Sequence, residues 1–354
     1  MLGVQKPGRY TGGELNAVVK DKKQVDVRFA FCFPDIYEVG MSHLGMKILY
    51  SQFNEVPYIW CERVFAPWVD MEEELRKRDI PLYGLESGDP ITNFDFIGFT
   101  LQYELSYTNV LNMLELAKIP LLAKDRGDLL GQIVVAGGPC VCNPEPLCDF
   151  IDLFFLGEGE EVDLEVIELY RACRAEGVGK REFLRRAVQI EGVYVPSLYE
   201  ISYHEDGTLA AITPKEGAPS RIRKRIIRDM DTCYYPENFV VPFLDIVHDR
   251  AVEEVLRGCI RGCRFCQAGF IYRPVREKSP ETVARQCAAL CGNTGYDEVS
   301  LSSLSTNDYT ALQTLLADTK DWAEREKISL SLPSMRVDAF SDELVQSLQS
   351  LRRS

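Results

Sequence analysis

The stretch Arg257-Gly-Cys-Ile-Arg-Gly-Cys-Arg-Phe-Cys-Gln-Ala-Gly269 sets three thiols within eight residues, on a glycine-bearing loop that follows a strand-like run. Thiolates packed this closely suit one compact metal centre. They are soft ligands for iron–sulfur clusters or zinc, and a cluster held by three protein cysteines leaves one iron open to an exogenous ligand. Tetrahedral zinc wants a fourth ligand, which Cys287 or Cys291 would have to supply from a predicted helix far down the chain. Buried cysteines spaced by chance are the plain alternative, and the close spacing of these three argues against it.

Outward from this loop the pattern is α/β. Towards the C-terminus, strand-like runs at 253–256, 298–302 and 328–332 alternate with helical ones at 280–291, 309–326 and 341–351. Three such units are too few to close a parallel barrel, and the last strand would leave backbone groups unpaired. Residues 249–354 therefore read as the first part of a TIM-type barrel, in a chain expected to stop mid-domain. Towards the N-terminus, Pro214, Pro219, Pro236 and Pro242 punctuate an extended connector, preceded by a helical stretch from 162 to 186 and by two strands around Asp206-Gly207, a pair suited to a tight turn. Residues 176–248 form this middle segment. Earlier still, short runs rich in β-branched and aromatic residues at 27–33, 59–65, 96–101, 132–136 and 153–156 alternate with amphipathic stretches at 40–54, 71–78 and 107–117. That is the signature of a parallel sheet wrapped by helices, so residues 1–175 read as a Rossmann-like, doubly wound domain. On the 40–54 stretch, helical spacing places Met41, Leu44, Ile48 and Leu49 on the apolar side and His43 beside Lys47 on a solvated one. Cys140, Cys142 and Cys148, around Gly137-Gly138, read as small buried thiols.

Composition narrows the class. The 354 residues are 46% hydrophobic and 27% charged, close to the average of globular proteins, and no apolar run approaches the roughly 18 residues of a membrane span. The opening MLGVQKPGRYTGGELN lacks the apolar core of a secretory signal, which points to the cytoplasm. Twelve cysteines in such a chain read as ligands or buried thiols, because the cytosol keeps thiols reduced. A net charge of −14 and a pI near 4.9 argue against broad adhesion to nucleic acid. The run Arg221-Ile-Arg-Lys-Arg-Ile-Ile-Arg228 is a solvated linker or a local contact for RNA phosphate.

The cysteine loop resembles the signature of radical S-adenosylmethionine (SAM) enzymes, CxxxCxxC with an aromatic residue before the last cysteine, and matches it at each position. The resemblance implies that Cys259, Cys263 and Cys266 ligate a 4Fe-4S cluster and that Phe265 lies close to the adenine of SAM. It also implies that one electron cleaves SAM to a 5′-deoxyadenosyl radical that abstracts substrate hydrogen. Ser300-Leu-Ser-Ser-Leu-Ser305 stands where relatives carry a Gly-Gly-Glu-like stretch for the SAM amino group, which makes Ser302 and Ser303 candidate contacts or, alternatively, turn formers. Arg336 is a candidate bidentate donor to the SAM carboxylate, or half of a surface ion pair.

The N-terminal half resembles the cobalamin-binding-type Rossmann domain of many enzymes in this superfamily, through Asp35-Ile-Tyr-Glu-Val-Gly40, Gly137-Gly138 and Gly157-Glu-Gly-Glu160. Where cobalamin domains carry DxHxxG this chain has Tyr37, a phenol with a pKa near ~10 that is a poor cobalt ligand. Cobalamin held without a protein ligand to cobalt, or a scaffold that has lost it, are both compatible with that change. Over nearly the whole chain the likeness is to uncharacterised radical SAM proteins, carried also by Gly8-Arg-Tyr-Thr-Gly-Gly-Glu14, Glu62-Arg-Val-Phe-Ala-Pro67 and Gly137-Gly-Pro-Cys-Val-Cys-Asn-Pro-Glu-Pro146. Members usually continue well past this length. The implied activity is hydrogen abstraction, or methyl or methylthio transfer, on an unknown substrate that could be RNA, with a reductant such as flavodoxin or ferredoxin. The competing reading is a cluster-bearing binding module without turnover.

Overall fold

Nearly every residue of the runs Val27–Phe33 (β1), Ile59–Phe65 (β2), Phe96–Thr100 (β3), Ile133–Gly137 (β4) and Leu153–Phe155 (β5) is buried. Continuous apolar runs of this kind belong to parallel strands covered on both faces. In the computed structural model, which describes residues 3–336, these five strands are parallel, and Val193–Tyr194 (β6) adds an antiparallel edge. The sheet order is β2-β1-β3-β4-β5-β6. Sequence order therefore reverses between β1 and β3, and the loops after those two strands flank the switch point where doubly wound sheets bind ligands. Of the described residues, the first of two compact units takes 3–13 and 17–226, the second 14–16 and 227–336.

Two helical stretches depart from the sequence reading. The 40–54 stretch is broken into Tyr37–Gly40 (α1) and Leu44–Glu55 (α2), with a turn at 41–43. The break removes the helical phase that put His43 in solvent. His43 instead caps α2, its Nδ1 accepting the Met46 N–H at 3.1 Å, its ring packed on Phe33, while Lys47 is buried. After Val69–Arg78 (α3) and Tyr107–Leu116 (α4), the stretch from 162 to 186 divides into Gly159–Glu176 (α5) and Lys180–Ala187 (α6). Gly177, at φ 71°, ends α5 in the left-handed conformation that glycine tolerates best. Tyr199–Tyr203 (β7) and Leu209–Pro214 (β8) form the expected hairpin, and Gly207 takes φ 82° in its turn. Of the three thiols near Gly137, only Cys140 is buried. Cys148 is half-buried and Cys142 exposed, a correction that follows from the 3-10 turn Pro139–Cys142, which carries its last residue outward.

The second unit contains Ala251–Glu254 (β9), Leu256–Arg257 (β10), Ala268–Ile271 (α7), Arg276–Glu277 (β11), Pro280–Thr294 (α8), Glu298–Ser302 (β12), Leu312–Glu326 (α9) and Ser329–Ser331 (β13). Ser279 opens α8 by accepting the Thr282 N–H at 3.2 Å, with Pro280 in the first turn, where a missing N–H does no harm. Strands β9, β12 and β13 are parallel, in the order β13-β12-β9, while β10 and β11 pair separately. The helix expected at 341–351 lies outside the described residues.

Candidate functional site

Strand β10 runs directly into the cysteine loop through Gly258, at φ 94°. A Cβ there would stand 2.7 Å from the Pro274 carbonyl oxygen and 2.8 Å from that of Tyr272, so only glycine lets the loop cross the 272–274 segment this closely. Beyond it, Cys259 and Cys266 are half-buried and Cys263 is exposed. Backbone N–H groups point at two of the sulfurs, Arg261 N at 3.5 Å from Cys259 Sγ and Gly269 N at 3.4 Å from Cys266 Sγ. The Cys266 N–H donates to the Cys263 carbonyl at 3.0 Å, closing the turn between the last two thiols. Among the described residues no three Cys, His, Asp or Glu side chains converge into a preassembled metal-binding group. The loop thus offers three free thiols, two already receiving N–H donors, a donor set that fits a thiolate-held iron–sulfur cluster. The zinc alternative loses its fourth ligand. Cys287 and Cys291 lie buried in α8 and, among the described residues, do not converge with the loop thiols into a metal-binding group.

The other candidates fall into two groups. Ser303 and Arg336 meet at the 3-10 turn Thr306–Asp308 that follows β12. The Ser303 hydroxyl lies 2.8 Å from that of Thr306, which donates to the Pro333 carbonyl at 2.6 Å. The Arg336 backbone N–H donates to Asn307 Oδ1 at 2.7 Å, and Arg336 Nη1 to Asp308 Oδ1 at 3.0 Å. Asp308 is also the partner of Arg261, in the middle of the cysteine loop, whose Nε donates to Oδ2 at 2.8 Å. The hydrogen bond from Arg261, opposed by burial and helped by Arg336, holds the Asp308 carboxyl down at about 2. Phe265 and Ser302 stand apart from this group: Phe265 is 93% exposed, and Ser302 ends β12 with its carbonyl accepting the Val255 N–H at 3.1 Å.

Strand register explains which side faces chemistry. Glu253 pairs with Leu301, and Val299 with Leu330, on the face turned to α8; Glu254 pairs with Ser302, Val252 with Ser300 and Ser300 with Ser331 on the other. One face of the sheet is therefore apolar around a buried carboxylate, and the opposite face carries serines and the Glu254–Arg257 ion pair, 2.7 Å apart. Sequence reading missed Arg261, Asp308 and this pair. The polar triplet Thr306-Asn307-Asp308 directly after a strand end was the available signal.

A family model described as radical SAM proteins, N-terminal, matches residues 45–196, and one described as radical SAM superfamily matches residues 254–353. The chain belongs to the radical SAM superfamily. An uncharacterized protein of Methanocaldococcus jannaschii is 27% identical over 322 residues, covering 90% of this chain and 58% of that protein. Two solved folds are similar to this radical SAM chain. The radical SAM methyltransferase TsrM from Kitasatospora setae, solved with cobalamin and a [4Fe-4S] cluster bound, gives a TM-score of 0.54 at 12% identity over 92% of this chain and 57% of its own. The cobalamin-dependent radical SAM enzyme OxsB, with aqua-cobalamin and SAM bound, gives 0.51 at 13% identity over 86% of this chain and 38% of its own. At such identities the likeness concerns the fold. The radical SAM chain spans a little over half the length of the curated relative it matches.

The switch point of the first unit is where the cobalamin expected from the sequence is tested against the residues present. Tyr37, at the histidine position, points into the core, 1% exposed and edge-on to Phe65 with ring centroids 5.2 Å apart. Asp35 Oδ2 accepts the Tyr103 hydroxyl at 2.6 Å, tying the loop after β1 to the loop after β3. The close approach allowed by Gly157 is used by the chain itself: a Cβ there would stand 2.1 Å from the Arg225 carbonyl oxygen. His43, the other imidazole nearby, is engaged as the cap of α2. These residues do not fit a histidine-ligated cobalamin, and no chemistry is assigned to cobalt in this radical SAM chain.

Proposed function

We propose that the chain works as a radical SAM enzyme whose Cys259, Cys263 and Cys266 hold a 4Fe-4S cluster with one iron left for SAM. The observation that carries this reading is the single loop of three unpaired thiols, one exposed and two half-buried, aimed by backbone N–H groups and anchored to the neighbouring 3-10 turn. When bound, the cluster supplies the electron that splits SAM into methionine and a 5′-deoxyadenosyl radical, which takes a hydrogen atom from substrate. The chain's own residues then have distinct tasks. The planar Arg336 guanidinium is suited to the SAM carboxylate, the Ser302 and Ser303 hydroxyls can accept from its ammonium, and the exposed Phe265 ring offers a stacking surface for adenine. A flavodoxin- or ferredoxin-type reductant would deliver the electron in the cytoplasm.

The substrate is proposed only by class, as a molecule that undergoes hydrogen abstraction or methyl or methylthio transfer. RNA is a weaker candidate than the basic run alone suggests, since Arg225 is paired with Glu161 and Glu165 at 2.7 and 2.6 Å. A salt-sensitive gel shift tests it. For the chemistry, the chain is reconstituted anaerobically with iron and sulfide, reduced, and given SAM. Release of 5′-deoxyadenosine, abolished together with the visible cluster absorbance in Cys263→Ala, is the expected result. Full cluster loading without 5′-deoxyadenosine would favour the binding-module reading instead.

A further inference from the structure

We propose that Asp308 is a positioning residue that fixes the cysteine loop through Arg261 and presents Arg336 from the same carboxylate. Arg261 is the middle residue of the three between Cys259 and Cys263, and its own N–H is the donor to Cys259 Sγ. Holding its guanidinium therefore holds the backbone that aims at a candidate ligand sulfur. The hold is two-point: Nε donates to Oδ2 at 2.8 Å, and Nη2 also meets Oδ1. Bidentate, charge-assisted contacts of this kind set orientation as well as distance.

The carboxylate itself is held firmly. Asp308 ends the 3-10 turn Thr306–Asp308, whose buried Thr306 is joined to Ser303 on one side and to the Pro333 carbonyl on the other, while Asn307 receives the Arg336 N–H. The Asp308 side chain is only 11% exposed and that of Arg261 41%, so the bridge runs from a sheltered carboxylate to a guanidinium nearer solvent. Arg336 Nη1 lies 3.0 Å from Oδ1 and 3.2 Å from Oδ2 of the same group. One carboxylate thereby sets both the loop that carries the thiols and the cation suited to the SAM carboxylate. The inference rests on the proposed role of that loop, but its first test does not need the cluster.

In the apo chain, site-resolved alkylation monitored by peptide mass spectrometry reads how open the loop is. Asp308→Ala is expected to raise the alkylation rate of half-buried Cys259, whose sulfur receives the Arg261 N–H, by about five- to tenfold as the bidentate charged contact is lost. Exposed Cys142 and buried Cys287 serve as controls and keep their wild-type rates. Should Cys287 also become reactive, the variant has unfolded, and Arg261→Gln, altered at the solvent end of the bridge, then decides by the same loop-confined rise. A wild-type rate at Cys259 in a folded Asp308→Ala or Arg261→Gln chain would overturn the proposal. In the reconstituted chain, Arg336→Gln should leave the loop's alkylation pattern unchanged before loading but diminish the SAM-induced change in the electron paramagnetic resonance signal of the reduced cluster. Asp308→Glu should restore much of what Asp308→Ala loses in both readouts, and a failure of both variants to differ from wild type in that signal counts against the second arm. A chain that never releases 5′-deoxyadenosine leaves the alkylation result standing, so the two readings fail separately.

Discussion

His43 opens α2 by accepting the Met46 N–H on Nδ1, and that acceptor exists only while the imidazole is neutral. Burial, aided by the nearby Lys47 charge and opposed by Gln102, pushes its pKa down to about 4. In the unfolded chain the ring takes up a proton near ~6.5. The folded state thus binds fewer protons than the unfolded one between those values, and stability falls as pH drops through that window. The urea midpoint of the first unit should fall between pH ~7 and ~5 in the wild type. In His43→Asn, which keeps a cap acceptor that does not titrate, most of that slope should vanish, and His43→Ala should cost about 1 kcal/mol at pH ~7 and less towards pH ~5. Equal slopes in wild type and His43→Asn would show that other groups carry the effect. The same residue shows what helical spacing conceals. A wheel drawn through 40–54 assumes one unbroken helix, and the turn at 41–43 rotates His43 and Lys47 out of the solvent they were assigned.

Strand β9 places a carboxylate, Glu253, on the face that α8 covers, and Lys278 reaches it at 2.6 Å with both side chains fully buried. Lys278 Nζ also donates to Gln286 Oε1 at 2.8 Å and lies 3.6 Å from the centre of the Tyr235 ring. Desolvation, only partly offset by Lys278, lifts the Glu253 pKa to about 7. A raised carboxyl pKa means that the folded state binds more protons, so this group's contribution falls as pH rises from ~4.5 to ~7 and is flat above. Lys278→Met should strip the partner from a buried charge and cost the second unit about 3–5 kcal/mol at pH ~8, with part of the loss recovered at pH ~5 where Glu253 is protonated. Glu253→Gln combined with Lys278→Met should be markedly more stable than Lys278→Met alone, as urea unfolding monitored in the second unit would report. If the double variant is as unstable as the single one, packing rather than charge is at fault. Elements like β9 were legible in outline because apolar runs and period-2 alternation survive in any one sequence. The register that puts Glu253 under a helix and Glu254 on the open face was not, since it depends on pairing with β12 almost fifty residues away. The thiols proposed as cluster ligands stand out in the sequence for the opposite reason: Cys259, Cys263 and Cys266 are neighbours in sequence, whereas Arg261 and Asp308 meet only after the chain has passed through α8 and β12.

The described residues divide into two compact units, one around the sheet β2-β1-β3-β4-β5-β6 and one around β13-β12-β9, and the cofactor ligands proposed here belong to the second. A cluster that binds the folded form and not the unfolded chain adds its binding free energy to whatever unfolds with the cysteine loop. The segment 215–250 contains no helix or named strand, so no regular element continues from one core to the next. Buried thiols supply a reporter in each: Cys61 on β2 of the first unit and Cys287 on α8 of the second. Pulse alkylation across a urea titration should give a midpoint for each thiol. Loading the cluster should raise the Cys287 midpoint, because burial there is lost only when the second unit opens, and leave the Cys61 midpoint where it stands in the apo chain. A parallel shift of both would mean that the chain unfolds as one cooperative body despite its two compact units. An unmoved Cys287 with a fully formed cluster would mean that the loop can hold its metal while the core beneath it unfolds, and the link drawn from Cys259 through Arg261 to Asp308 would then have to be given up as a route from cluster to fold.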